Sequence, residues 1–212
     1  MSNIRYASIR TLDISNGEGV GVALFVQGCP FNPHCYNCFN PETWDFNGGK
    51  EWTPEVKEKF LELIDRPYIK RVSLLGGECL ADENLDDILD LVTEINKRYN
   101  FQKVDSANPC KMGVSEVENT DRFRLLFPNK SIWLYSGYNY QKVMRELPNL
   151  ATQDNYNMYK RQKIIKQCTV MVDGRYIDSQ RNPSKKWAGS DNQRVIAVQE
   201  SLEQNKIILY CD

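Results

Sequence analysis

The sequence has a single histidine and no uncharged apolar run long enough to cross a bilayer. Its first residues, MSNIRYASIR, lack the apolar core of a secretion signal. Neither sign of charge dominates: 27 Lys and Arg against 28 Asp and Glu leave a formal net charge of -1. With no overall basic field to draw in nucleic acid or an anionic membrane, neither is expected as a partner. There is no internal repeat and no low-complexity tract. Seven cysteines is an odd count, and without an export signal they read as thiols or metal ligands rather than a disulfide framework. The expected location is a reducing one, the cytoplasm.

What is present is a strand and helix rhythm. At 212 residues, with 41% hydrophobic and 26% charged content, the chain suits one globular domain spanning 1–212. An extended segment at 6–12 passes through the turn-like SNGEG to VGVALFVQG, an apolar run fit for a strand buried on both faces. Thr53 caps a helix with Pro54 in its first turn, and Val56, Phe60, Leu63 and Ile64 make its apolar stripe. RVSLL at 71–75 is a second buried strand, and Leu85, Ile88, Leu89, Val92 and Ile95 mark the next helix. Further strands are expected at 132–137, 169–174, 194–198 and 207–210, with a short helix near 140–147. Such alternation predicts an α/β fold with a mainly parallel sheet. Two polar stretches, 100–130 and 151–163, read as insertions, the second as a loop or irregular helix.

The densest chemistry lies in GCPFNPHCYNCFNPETW, where Cys29, Cys35 and Cys38 form C-x5-C-x2-C after the first buried strand. Three cysteines so close on a Gly/Pro/Asn loop are seldom mere packing. A zinc site of Cys29, Cys35, Cys38 and His34 is one reading, although His34 abuts Cys35. An iron–sulfur cluster is another: a four-iron cubane takes four thiolates, so three leave one iron open to substrate.

LFVQGC, CFNPETWDFNGG, LLGGE with DEN after it, IWLYSGY, VDGR and GS-x-NQR occur in that order. Together they resemble the activating proteins of anaerobic ribonucleoside-triphosphate reductase, a family of glycyl-radical-enzyme activases in the radical S-adenosylmethionine (SAM) superfamily. The resemblance runs from about Tyr6 to Tyr210, with gaps at the two insertions. It implies an incomplete (β/α) barrel of radical SAM type, a [4Fe-4S] cluster on Cys29, Cys35 and Cys38, and SAM at its open iron. The implied reaction is reductive cleavage of SAM and generation of a glycyl radical on the reductase's large subunit. Reduced flavodoxin or a similar donor is the implied electron source. No side chain need act as an acid or base, because the cofactor carries the chemistry. Rival readings are an activase of a pyruvate formate-lyase type enzyme, a zinc-stapled interaction protein, and an inactive remnant.

The resemblance also carries individual residues. Asn37 and Phe39, beside Cys38, are candidates for the adenine edge, although Phe39 also suits core packing. Gly76, Gly77 and Glu78, after a strand, are candidates for the methionine end of SAM, with the glycines allowing close backbone approach. Ser136, Gly137 and Asp173 are candidates for ribose or carboxylate, and Asn192 and Arg194 for the same groups. The chain departs from the family twice: the family's spacing is C-x3-C-x2-C, two residues shorter between the first two cysteines, and the family has proline where this chain has Cys79. Pro30 and Pro33 are expected to hold the longer loop in a wider arc. His34 is expected to be exposed, Cys79 not to be a fourth ligand, and Cys110, Cys168 and Cys211 to be incidental thiols. The 100–130 stretch is expected to contact the reductase.

Overall fold

A computed structural model describes residues 4–99, 129–147 and 150–211. The strands are β1 (Arg5–Asp13), β2 (Gly21–Val26), β3 (Lys50–Glu51), β4 (Arg71–Gly76), β5 (Ser131–Ser136), β6 (Val170–Asp173) and β7 (Arg194–Ala197). The helices are α1 (Pro54–Asp65), α2 (Leu85–Tyr99), α3 (Tyr140–Val143), α4 (Gln153–Lys166) and α5 (Val198–Glu203). One sheet runs in the order β3-β1-β2-β4-β5-β6-β7. β2, β4, β5 and β6 are parallel neighbours, while β1, β3 and β7 join antiparallel at the two sides.

Side-chain alternation gives the sheet two unlike faces. Val22, Leu24, Val26, Val72, Leu74, Ile132, Leu134 and Met171 pack with Phe60, Ile64, Ile88, Val92, Ile164 and Ile165 of the helices in the main core. The intervening residues Phe25, Leu75, Tyr135 and Val172 face the other way and line a cavity. All six residues of β2 are buried, as a strand covered on both faces requires. Thr53 caps α1 as expected, its hydroxyl accepting from the Val56 amide at 3.4 Å.

Three expectations are corrected. The stretch 151–163 is not an insertion; it enters α4, a regular helix between β5 and β6 capped by Thr152. Its apolar pattern is faint because its buried side includes Asn157 and Arg161 beside Ile164 and Ile165. Residues 207–210 do not form a strand; they meet β7 in an isolated bridge, Ile196 to Leu209, where the Ala197 amide donates to the Ile208 carbonyl and the Tyr210 amide to that of Val195. The short helix near 140–147 covers only Tyr140–Val143. The 100–130 stretch, with Cys110, lies outside the described residues except for its last two. No helix of the described residues is long and apolar enough to cross a membrane.

Candidate metal and cofactor site

Parallel strands end on the same side, so the turns after β2, β4 and β5 meet there. Gly28, at φ +92 against the ring of Phe46, turns the chain out of β2 directly into Cys29. Its amide donates to the Thr43 carbonyl at 2.9 Å, and the Cys29 amide to that of Trp44 at 3.0 Å. The Cys38 amide donates to the Cys35 carbonyl at 3.2 Å, closing the turn that holds the second and third cysteines.

The glycine turn after β4 is laced to the same loop. Gly77 donates to the Val26 carbonyl at 2.9 Å and Glu78 to that of Gly28 at 2.7 Å. Asn84, in the segment DEN, donates through its amide to the carbonyls of Gln27 and Glu78, both at 2.9 Å. A side chain at Gly77 would collide with the backbone carbonyls of Gly28 and Thr43, so only glycine permits this approach.

Cys29, Cys35 and Cys38 line one cavity of about 520 Å³, and Gly76, Gly77 and Ser136 line it with them. Burial first, and then the negative charges of Glu78, Cys35 and Cys38, push the Cys29 thiol above its ordinary value, while a backbone hydrogen bond at Phe31 acts the other way. A Cys29 thiolate crowded in this way is favoured by a neighbouring group that brings positive charge. Among the described residues, no three His, Cys, Asp or Glu side chains are arranged to hold a single metal ion. One tetrahedral zinc draws its sulfurs within ~4 Å of each other, whereas a cubane spreads them over its corners. Three cysteines lining one open space are a donor set that suits an iron–sulfur cluster.

His34 does not join them. It is not exposed as expected: its ring stacks on Trp44 at 4.2 Å and 9°, and its buried Nε2 has no hydrogen-bond partner. Cys79 is buried in the main core, with Sγ toward the Leu75 carbonyl, and does not line the cavity. Burial drives its thiol well above the ordinary range, which suits a packed thiol and not a ligand.

Glu78 is fully buried, and its carboxylate is already occupied. Oε1 accepts from the Leu80 amide at 2.9 Å and the Ser136 hydroxyl at 2.8 Å, while Oε2 accepts from the Gly137 amide at 2.8 Å. Burial outweighs these bonds and pushes the carboxyl up to about 7. Glu78 thus ties strand ends together while lining the cavity beside Gly76 and Gly77.

Phe39 is 61% exposed and lines the cavity, its ring edge-on to Tyr176 at 4.9 Å, so it is no core residue. Asn37 is exposed at φ 54, and its amide donates to Asp178 at 3.2 Å. Arg194 and Asn192 are not brought to the cavity. The Arg194 guanidinium pairs with the buried Asp173 carboxylate, Nε to Oδ1 at 3.0 Å, and Asp173 also accepts from the Tyr140 amide. Asn192 donates to the Arg175 carbonyl at 2.8 Å. Gln193, between them, lines the cavity instead, as do Arg175 and Tyr176. Of the residues the sequence reading passed over, Asn84 and Arg175 had a signal, since DEN and VDGR recur among its motifs.

The chain is 29% identical to a protein named anaerobic ribonucleoside-triphosphate reductase-activating protein from Salmonella typhi, covering 91% of this chain and 97% of that one. Proteins of the same name from Escherichia coli K12, at 29% identity over 91% and 97%, and from phage T4, at 28% over 91% and 93%, match equally broadly. The family described as 4Fe-4S single cluster domain matches residues 15–109 and 115–196, and those stretches contain all three cysteines and both glycine turns. The chain belongs to the 4Fe-4S single cluster domain family.

Proposed function

We propose that this chain is a radical SAM activase that generates a glycyl radical on anaerobic ribonucleoside-triphosphate reductase, the enzyme after which its relatives are named. One observation carries the reading: three cysteines of one loop and the Gly76–Gly77 turn line a single cavity at the ends of parallel strands. In this reading the four parallel strands are part of an incomplete radical SAM barrel. Bound to Cys29, Cys35 and Cys38, a [4Fe-4S] cluster supplies an electron and an open coordination position for the reductive cleavage of SAM.

The rest is positioning by the chain's own residues. Gly76 and Gly77 offer bare backbone to the methionine end, and Glu78 fixes them there through its bond to the Gly28 carbonyl. Phe39, exposed and lining the cavity, offers a flat apolar face to the adenine, and Gln193 and Ser136 line the same cavity. Phe25, Leu75 and Val172 give the cavity an apolar floor that keeps water from the site where hydrogen is abstracted. The electron comes from a reduced flavodoxin or similar donor, in the cytoplasm.

The test is anaerobic reconstitution with iron and sulfide, then reduction with SAM present and assay of 5'-deoxyadenosine. Cys35→Ala is run in parallel, and the purified reductase is added to look for a glycyl radical by electron paramagnetic resonance. Product from the wild type alone, with a radical on the reductase, is expected. Zinc without sulfide, or a cluster that yields no product, overturns the reading.

A further inference from the structure

The loop between Cys29 and Cys35 is held from outside by a run of stacked side chains. The Arg175 guanidinium lies 5.1 Å over the ring of Phe31. Phe31 meets the ring of Tyr138 at 5.2 Å. Tyr138 lies in turn 4.8 Å under the Arg161 guanidinium. Arg161 is itself anchored, donating to the Leu80 carbonyl at 2.8 Å and pairing with Asp82. Arg175 also donates to the Pro33 carbonyl, so one side chain grips the loop at its ring and at its backbone. Gly137 makes room for the stack, because a Cβ there would run into Phe31 and come within 3.2 Å of the Arg175 side chain.

Phe31 and Pro33 lie in the five residues between the first two cysteines, a stretch that the His34–Trp44 stack holds from its other end. The backbone of Arg175 is fixed by Asn192, donating to its carbonyl, and by Gln193, donating to that of Gly174. Asn192 and the Gln193 amide thereby hold the turn that carries Arg175.

We propose that Arg175 is a positioning residue for the cysteine loop: through Phe31 and the Pro33 carbonyl it holds Cys29 and Cys35 at the separation the cluster needs. The inference rests on the cluster reading above, and its test separates the two. Backbone hydrogen exchange across residues 29–38 is followed in wild type, Arg175→Ala, Arg175→Lys and Phe31→Leu, as purified and after anaerobic reconstitution. Thermal unfolding of each serves as the folding control.

Exchange in Arg175→Ala is expected to rise about tenfold in this loop, from loss of a charge-assisted hydrogen bond and a cation–π contact, with the unfolding temperature close to wild type. Arg175→Lys keeps the cation but not the fork and should lie between. In reconstituted protein, iron release to a chelator should quicken by about tenfold, as for other residues that orient metal ligands. Unchanged exchange in Arg175→Ala overturns the inference whether or not a cluster forms. A wild type that takes up no iron and sulfide sinks the cluster reading instead.

Discussion

The Ser136 hydroxyl donates to Oε1 of Glu78 at 2.8 Å, joining the C-terminal ends of β5 and β4 after their ladder has stopped at Leu134 and Leu74. Beyond that point Leu75, Gly76, Tyr135 and Ser136 line the cavity. The carboxylate bridges the two strand ends by taking donors from both sides, so a buried charge is spent on keeping the mouth of the site in shape.

Ser136→Ala removes one of the three donors and should cost about 1–2 kcal/mol, read as a lower urea midpoint with an unchanged slope. Glu78→Ala strands three buried donors and should cost at least about 3 kcal/mol. Equal midpoints for the two variants would show that the bridge is not structural.

Glu78 also makes stability depend on pH. Its folded value of about 7 lies above the ordinary 4.5, so the folded protein holds this proton more tightly than the unfolded chain. The unfolding free energy therefore falls as pH rises from about 4.5 to about 7, by up to about 3 kcal/mol from this group. Glu78→Gln should flatten that slope relative to wild type in urea titrations between pH 5 and 7. Parallel slopes would rule out the assignment.

At the opposite end of β4, Arg71 and Asp13 form a buried ion pair at 2.8 Å, with Arg71 also donating to the carbonyls of Asp13, Asn16 and Glu18. Burial alone would raise Asp13, but the Arg71 and Asn16 bonds outweigh it and hold the carboxyl below its usual value. Its contribution is present above the unfolded value and is lost as pH falls through the folded one. Arg71→Met should cost roughly 3–5 kcal/mol and detach the loop that carries Ser15 and Asn16, two cavity-lining residues. A change within 1 kcal/mol in thermal unfolding would count against this role.

Two glycines should behave differently on conversion to alanine. At Gly77 the new Cβ meets backbone on both sides, 2.7 Å from the Thr43 carbonyl oxygen, and must push the cysteine loop off the β4 turn. At Gly174 the φ of +96 strains an alanine, but the nearest atom is 3.7 Å away. Gly174→Ala should therefore lose about 1–2 kcal/mol and still take up iron and sulfide, while Gly77→Ala should fail to hold them. Normal iron content in Gly77→Ala would show that close approach is not required.

Local pattern carried much of the architecture. The run GVALFV reads as a two-sided buried strand because every residue is apolar, and Thr53 announces α1 because its hydroxyl meets an amide three residues on. α4 was hidden for the opposite reason: Arg161 belongs to the buried side only because Asp82, Leu80 and Tyr138 receive it there. Residues 207–210 are apolar enough for a strand, but they lie along the sheet edge with one bridge.

The site divides in the same way. Its three cysteines are six and three residues apart, on a loop whose Gly and Pro content and position after a strand are written in consecutive residues. By itself, then, the sequence determined the cysteine cluster, the parallel core and the glycine turn beside it. Only the tertiary structure decided that Arg194 serves Asp173, its partner across the antiparallel β6–β7 register, leaving Gln193 to face the cavity. It likewise decided that Glu78 is consumed by Ser136 and Gly137. Periodicity and capping act between near neighbours and can be read along the chain. Register and burial join residues dozens of positions apart, and a shift of one residue moves a side chain to the other face.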